Sequence, residues 1–69
     1  MKLYEAQRNC RVRIVGPTQT PPFSREAPKV GEVLSFYHVD GMYSLCKTED
    51  GAFCHPLSTT EIEVVENNT

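Results

Sequence analysis

Three cysteines and two histidines are the side chains of this chain best suited to chemistry: Cys10, Cys46, Cys54, His38 and His55. Cys46, Cys54 and His55 bracket the turn-forming string Glu49-Asp50-Gly51, while Cys10 and His38 stand apart. Structural zinc takes four ligands, with cysteines at knuckle spacings such as C-x₂-C. A C-x₇-C-H string with a remote third cysteine is not that pattern. Nucleophilic cysteine chemistry needs a positioned base and an oxyanion pocket, and no segment supplies either. The cysteines therefore read as small hydrophobic residues. The expectation is a non-enzymatic protein with no catalytic residue, no metal and no cofactor.

Charge is the second candidate signal. The net charge is only -2, but its distribution is uneven. Lys2, Arg8, Arg11, Arg13, Arg25 and Lys29 face only Glu5 and Glu26 in the first 30 residues, and Lys47 is the sole base thereafter. Arg8, Arg11, Arg13, Arg25 and Lys29 would form the surface of an RNA- or DNA-binding domain. Such a surface also needs stacking aromatics between its cations, whereas Phe36, Tyr37, Tyr43 and Phe53 all lie in the acidic half. Nucleic acid is thus the less favoured partner.

Sixty-nine residues make one domain with a thin core. Chains of this size bury only about 60% of their unfolded surface, so a large catalytic cleft has little scaffold for its walls. Leu3 and Tyr4 are followed at once by Glu5, Gln7 and Arg8, which is no secretory signal pattern. No apolar run approaches the roughly 20 residues that span a bilayer. An odd cysteine count without framework spacing suits a reducing compartment, and the expected location is the cytoplasm, away from membranes.

The elements that must position these residues are short strands. Cys10 to Val15 alternates apolar residues with arginine, the period of a half-buried strand. Residues 16 to 31 hold four of the five prolines and read as a long loop. Glu32 to Val39 is rich in β-branched and aromatic residues and predicts a second strand. Asp40-Gly41 predicts a two-residue type I′ hairpin into a third strand, Met42 to Lys47. Glu49-Asp50-Gly51 turns the chain into Ala52 to His55, and Pro56 ends that fourth strand. Pro56 to Thr60 predicts a short 3₁₀ turn, and Ile62 to Val65 a fifth strand. Residues 1–9 read as an N-terminal arm, 10–65 as the domain and 66–69 as a disordered tail.

This order of strands, long loop and Pro-containing turn resembles the SH3-like small β-barrels. The resemblance is carried by Lys29-Val30-Gly31-Glu32-Val33, Glu49-Asp50-Gly51, His55-Pro56-Leu57 and Ile62-Glu63-Val64-Val65, strings similar to those of short bacterial and phage-type domains. It implies an all-β, five-stranded SH3-like barrel whose first and last strands are antiparallel neighbours. Arg11 and Arg13 would then sit beside Glu61 and Glu63, cancelling much of the charge asymmetry. With no tryptophan in the chain, proline-rich ligand recognition is not implied.

Pairing through Asp40-Gly41 sets His38 opposite Tyr43 and Phe36 opposite Leu45. One face then carries Leu34, Phe36, His38, Tyr43, Leu45, Phe53 and His55, and the other Val33, Tyr37, Val39, Met42, Cys46, Ala52 and Cys54. The first holds the larger side chains and is taken as the core. The second leaves a surplus apolar surface, so Tyr37, Val39 and Met42 are expected to bind a protein partner, together with Phe23 and Arg25 of the long loop. The favoured function is a small protein-interaction module, of the kind phages use to modulate or inhibit host proteins. The alternatives are the nucleic-acid domain above and a self-associating structural protein such as a homodimer.

Overall fold

The computed structural model describes residues 1–20 and 27–66. Alternation of arginine with apolar residues gives β1, Cys10–Ile14, whose Cys10, Val12 and Ile14 are buried while Arg11 and Arg13 point outward. The remaining strands are β2 (Val33–Asp40), β3 (Tyr43–Thr48), β4 (Phe53–Cys54) and β5 (Ile62–Glu66). They form one antiparallel sheet in the order β4-β3-β2-β1-β5. The first and last strands are indeed neighbours. Among the described residues no helix is long and apolar enough to cross a membrane.

The sheet is not closed into the expected barrel. Its two edges are β4 and β5, and β4 is only two residues long. Pro56, two positions further on, has no N–H to donate to a continuing ladder. Nevertheless Leu3, Cys10, Val12, Ile14, Leu34, Phe36, Cys46, Cys54 and Ile62 form a single buried cluster drawn from all five strands and the N-terminus. A flat single layer cannot bury a face this completely, so the sheet curls around it.

Among the described residues the one 3₁₀ turn lies at Leu3–Glu5, not between residues 56 and 60 as predicted. The 56–60 segment instead makes an isolated bridge, Tyr43↔Leu57, and a hydrogen-bonded turn from Leu57 to Thr60. The N-terminal residues dock beside it. Leu3 N–H donates to the Thr60 carbonyl at 2.9 Å, Ile62 N–H donates to the Met1 carbonyl at 2.8 Å, and Leu3 is completely buried. Residues 1–5 are thus part of the packing, and at the other end Glu66 is the last residue of β5.

The first hairpin differs from expectation by one residue. Asp40 pairs with Tyr43, so Gly41-Met42 is the two-residue turn. Gly41 has a φ of 68° while Met42 does not have positive φ, the II′ pattern with glycine first. The I′ turn through Asp40-Gly41 would have required positive φ at Asp40 as well. The ladder then slips between Phe36 and His38, leaving Tyr37 as the extra residue of a β-bulge. A bulge reverses which parity of side chains faces the core. Before it, Leu34 and Phe36 point inward; after it, Val39 packs against the core. Ser44, Cys46 and Cys54 complete the buried face.

Of the seven residues of the predicted core face only Leu34 and Phe36 belong to it, whereas His38, Tyr43, Leu45 and His55 are half-buried and Phe53 is exposed. The second hairpin follows expectation. Thr48 N–H donates to the Ala52 carbonyl at 2.8 Å, Gly51 N–H donates to the Thr48 carbonyl at 3.0 Å, and Gly51 takes a φ of 93°.

Candidate functional site

The outer face of the sheet is organised by one cross-strand row. Register places Glu66 of β5 beside Arg11 of β1, Arg11 beside Ser35 of β2, Ser35 beside Lys47 of β3, and Lys47 beside Phe53 of β4. Five strands thus contribute one outward residue each to a single line. Tyr37, thrown out of the ladder by the bulge, joins it: its ring lies 6.4 Å from that of Phe53 at a tilt of 51°. Lys47 Nζ sits 5.5 Å from the Phe53 centroid, within the range of a cation–π contact. Beside the rings opens a shallow cleft of about 360 Å³ lined by Asn9, Arg11, Ser35, Tyr37 and Glu66.

Charges on this face are matched pair by pair. Arg11 donates to Glu49 at 2.8 Å and lies 4.0 Å from Glu66, and Arg13 donates to Glu63 at 2.5 Å. The expected Arg13–Glu63 neighbourhood is present. Arg11 instead goes to Glu49 and Glu66: with Arg13 opposite Glu63 the antiparallel ladder runs away from Glu61, and the bulge between Arg11 and Val12 brings Glu66 opposite Arg11. Glu61 turns to the N-terminus, where it accepts from Lys2 at 2.6 Å and from the Met1 ammonium at 3.3 Å. Those donors hold its carboxyl below the usual range, and the same contact raises the Lys2 ammonium. All these groups are substantially solvated, so the pairs contribute little to stability.

The residues expected to bind a protein partner separate. Tyr37 is half-buried on the outer face and Met42 is exposed at the hairpin turn. Val39, expected outside, packs against the core because the bulge reverses its side. Phe23 and Arg25 lie outside the described residues. Of the nucleic-acid set, Arg11 and Arg13 share the outer face, Arg8 is exposed in the turn before β1, and Lys29 is exposed in the loop before β2. The separation of aromatics from cations read along the chain does not survive folding. Strand order brings Tyr37 and Phe53 onto the face of Arg11 and Lys47.

Sequence reasoning missed Phe53, Lys47, Ser35, Asn9 and Glu66. Their grouping depends on the bulge, and the only local signal was Lys47 and Phe53 placed symmetrically about the Glu49-Asp50-Gly51 turn. The five residues with ligating chemistry do not form a centre. Among the described residues no group of three or more His, Cys, Asp or Glu side chains is arranged to hold a metal ion. The cysteines are buried thiols in the core, and His55 Nδ1 donates to the Ser44 carbonyl at 3.1 Å. Ser44, itself buried, donates to the Pro56 carbonyl at 2.8 Å.

No protein-family model, no curated protein and no solved structure matches this chain.

Proposed function

We propose that this chain is a small SH3-like protein-interaction module that docks its partner on the outer face of the sheet. The observation that carries this reading is the Tyr37–Phe53 ring pair beside the Arg11 cleft. Aromatic rings are rigid, amphipathic anchors of the kind that dominate interface energetics, and among the described residues Phe53 is left largely exposed and Tyr37 only half-buried. The SH3-like part of the reading is supported by the strand order and by the antiparallel pairing of β1 with β5. The three cations of the face, Arg11, Arg13 and Lys47, stand among three carboxylates, Glu49, Glu63 and Glu66. That balance favours a partner of mixed charge over a polyanion. A phage-encoded modulator of a host protein remains the biological setting that best suits such a module.

The test is affinity capture with the wild-type chain and with a Tyr37→Ala/Phe53→Ala variant of unchanged circular dichroism. A protein retained by the first and lost by the second supports the reading. Identical captured sets overturn it.

A second reading has one observation in its favour: rings and cations share a surface, as a single-strand stacking platform requires. A labelled single-stranded oligonucleotide titrated at low and at physiological salt separates the two. Micromolar binding that weakens steeply with salt would transfer the face to nucleic acid.

A further inference from the structure

The buried side of the sheet carries a second cross-strand row: Cys10 of β1, Phe36 of β2, Cys46 of β3 and Cys54 of β4. Cys46 and Cys54 are direct partners on adjacent strands, both on the buried face. The hydrogen bonds of the second hairpin fix their geometry further. Thr48 and Ala52 are a hydrogen-bonded pair, and pairs alternate along an antiparallel ladder. Two positions along, Cys46 and Cys54 are again a hydrogen-bonded pair, with a Cα separation of about 5.5 Å. That lies within the window of about 4.4–6.8 Å that a disulfide spans. Ser44 Oγ lies 3.6 Å from Cys46 Sγ on the same buried face. Cys10 is two strands from Cys46, roughly 10 Å away by strand spacing, with Phe36 between them.

The geometry points to Cys46 and Cys54 as a modification site, a cross-strand dithiol that a small-molecule disulfide oxidises to an intramolecular disulfide while Cys10 stays a thiol. Access comes through fraying of β4, a two-residue strand at the end of the sheet order, paired with β3. Cys54, on that strand, attacks one sulfur of the external disulfide. The external S–S bond breaks, one small thiol leaves with the proton of Cys54, and a mixed disulfide remains. Cys46 then attacks the Cys54 sulfur, and the second small thiol departs with the Cys46 proton. Two protein thiols are oxidised and one external disulfide is reduced to two thiols. The neighbouring Cys54 thiol and, after it, burial push the Cys46 thiol pKa up, so the second step is the slow one. The product staples β4 to β3 and fixes Phe53, the other residue of β4.

The experiment incubates the native chain with oxidised glutathione, then measures intact mass, thiol content and the cross-linked peptide after proteolysis under acid. The expected result is a monomer lighter by two hydrogen atoms, with three thiols reduced to one and a Cys46–Cys54 peptide. Its melting temperature should rise by about 5 °C or more, reversed by a reducing agent. Cys10→Ala should oxidise as the wild type does, whereas Cys54→Ala should stop at a mixed disulfide or not react. Because the wild-type peptide map needs no variant, misfolding of Cys54→Ala does not blur the outcome. A Cys10-containing link, an intermolecular dimer, or three thiols still intact under conditions that fray β4 would each overturn the assignment.

Discussion

Two rows of side chains cross this sheet one residue apart and face opposite ways. Cys10, Phe36, Cys46 and Cys54 form the inner row, packed into the common core. Glu66, Arg11, Ser35, Lys47 and Phe53 form the outer row, and every charge in it is solvated. The inner row is small and apolar because a curled sheet has room for one large ring, Phe36, between thiols. The outer row is long and polar because each side chain needs only a neighbour, not a packed environment. Stability is concentrated in the first row, and the freedom to evolve a binding surface in the second.

Exchanging the two phenylalanines for alanine breaks this comparison most directly. Phe36→Ala removes the largest buried ring and should cost about 3–5 kcal/mol, a large share of what a domain this small possesses. Phe53→Ala, at a ring 53% exposed, loses its contacts with Tyr37 and Lys47 and should cost less than about 1 kcal/mol. Urea denaturation of both variants checks the contrast. Equal costs would mean that the outer ring is structural.

The next largest effect tests the turn that sets the register. Gly41 adopts a φ of 68°, and a Cβ added there would meet nothing within 4 Å. Gly41→Ala therefore isolates backbone strain, expected at roughly 1–2 kcal/mol. A substitution without cost, read by thermal melting, would show that the hairpin turns elsewhere.

What could be read before folding, and what could not, divides along the same lines. Strand limits were legible to within one or two residues, because alternation in Cys10–Ile14 and the Gly and Pro breaks are local signals. The β3–β4 loop was legible too, since Gly51 is the only residue there at ease with positive φ. The outer row was not. Its membership follows from the extra residue at Tyr37, and a bulge at a tyrosine between Phe36 and His38 carries no compositional mark. One inserted residue moved Val39 inward and, by pairing Phe36 with Cys46, turned Phe53 outward and its thiol neighbour Cys54 into the core; the one-residue change of turn altered no face.

A smaller effect sharpens the account of the outer face. Arg13 and Glu63 are partners by register and by a 2.5 Å contact, with both side chains about half exposed. A double-mutant cycle to alanine should give a coupling of about 0.2–1 kcal/mol, declining as salt is added. Stronger, salt-resistant coupling would mean that this face is less solvated than the core comparison requires.

The smallest effect concerns the one place where the two kinds of interaction meet. Leu3 belongs to the buried cluster, yet its flanking residues are held by solvated charges, Glu61 with Lys2 and with the Met1 ammonium. Hydrogen bonds from Lys2 and the N-terminus lower the Glu61 pKa from its ordinary value of 4.5. The stabilisation they provide is therefore fully present above that value and disappears as pH falls through the lower, folded one. Lys2 is raised from 10.5, chiefly by its bond to Glu61, so its share is complete below 10.5 and is lost as pH rises beyond it. Leu3 is held besides by burial and by its backbone bond to Thr60, neither of which titrates. The Met1 Hα and Lys2 Hε resonances should accordingly shift as acid neutralises Glu61, while the Leu3 and Val12 amides keep their protection against exchange. Glu61→Gln should remove the acid response at the first two residues and leave Leu3 unchanged. If Leu3 lost its protection as Lys2 shifted, the N-terminal turn would be held by its charges, and the separation of core from surface energetics would fail at this end of the chain.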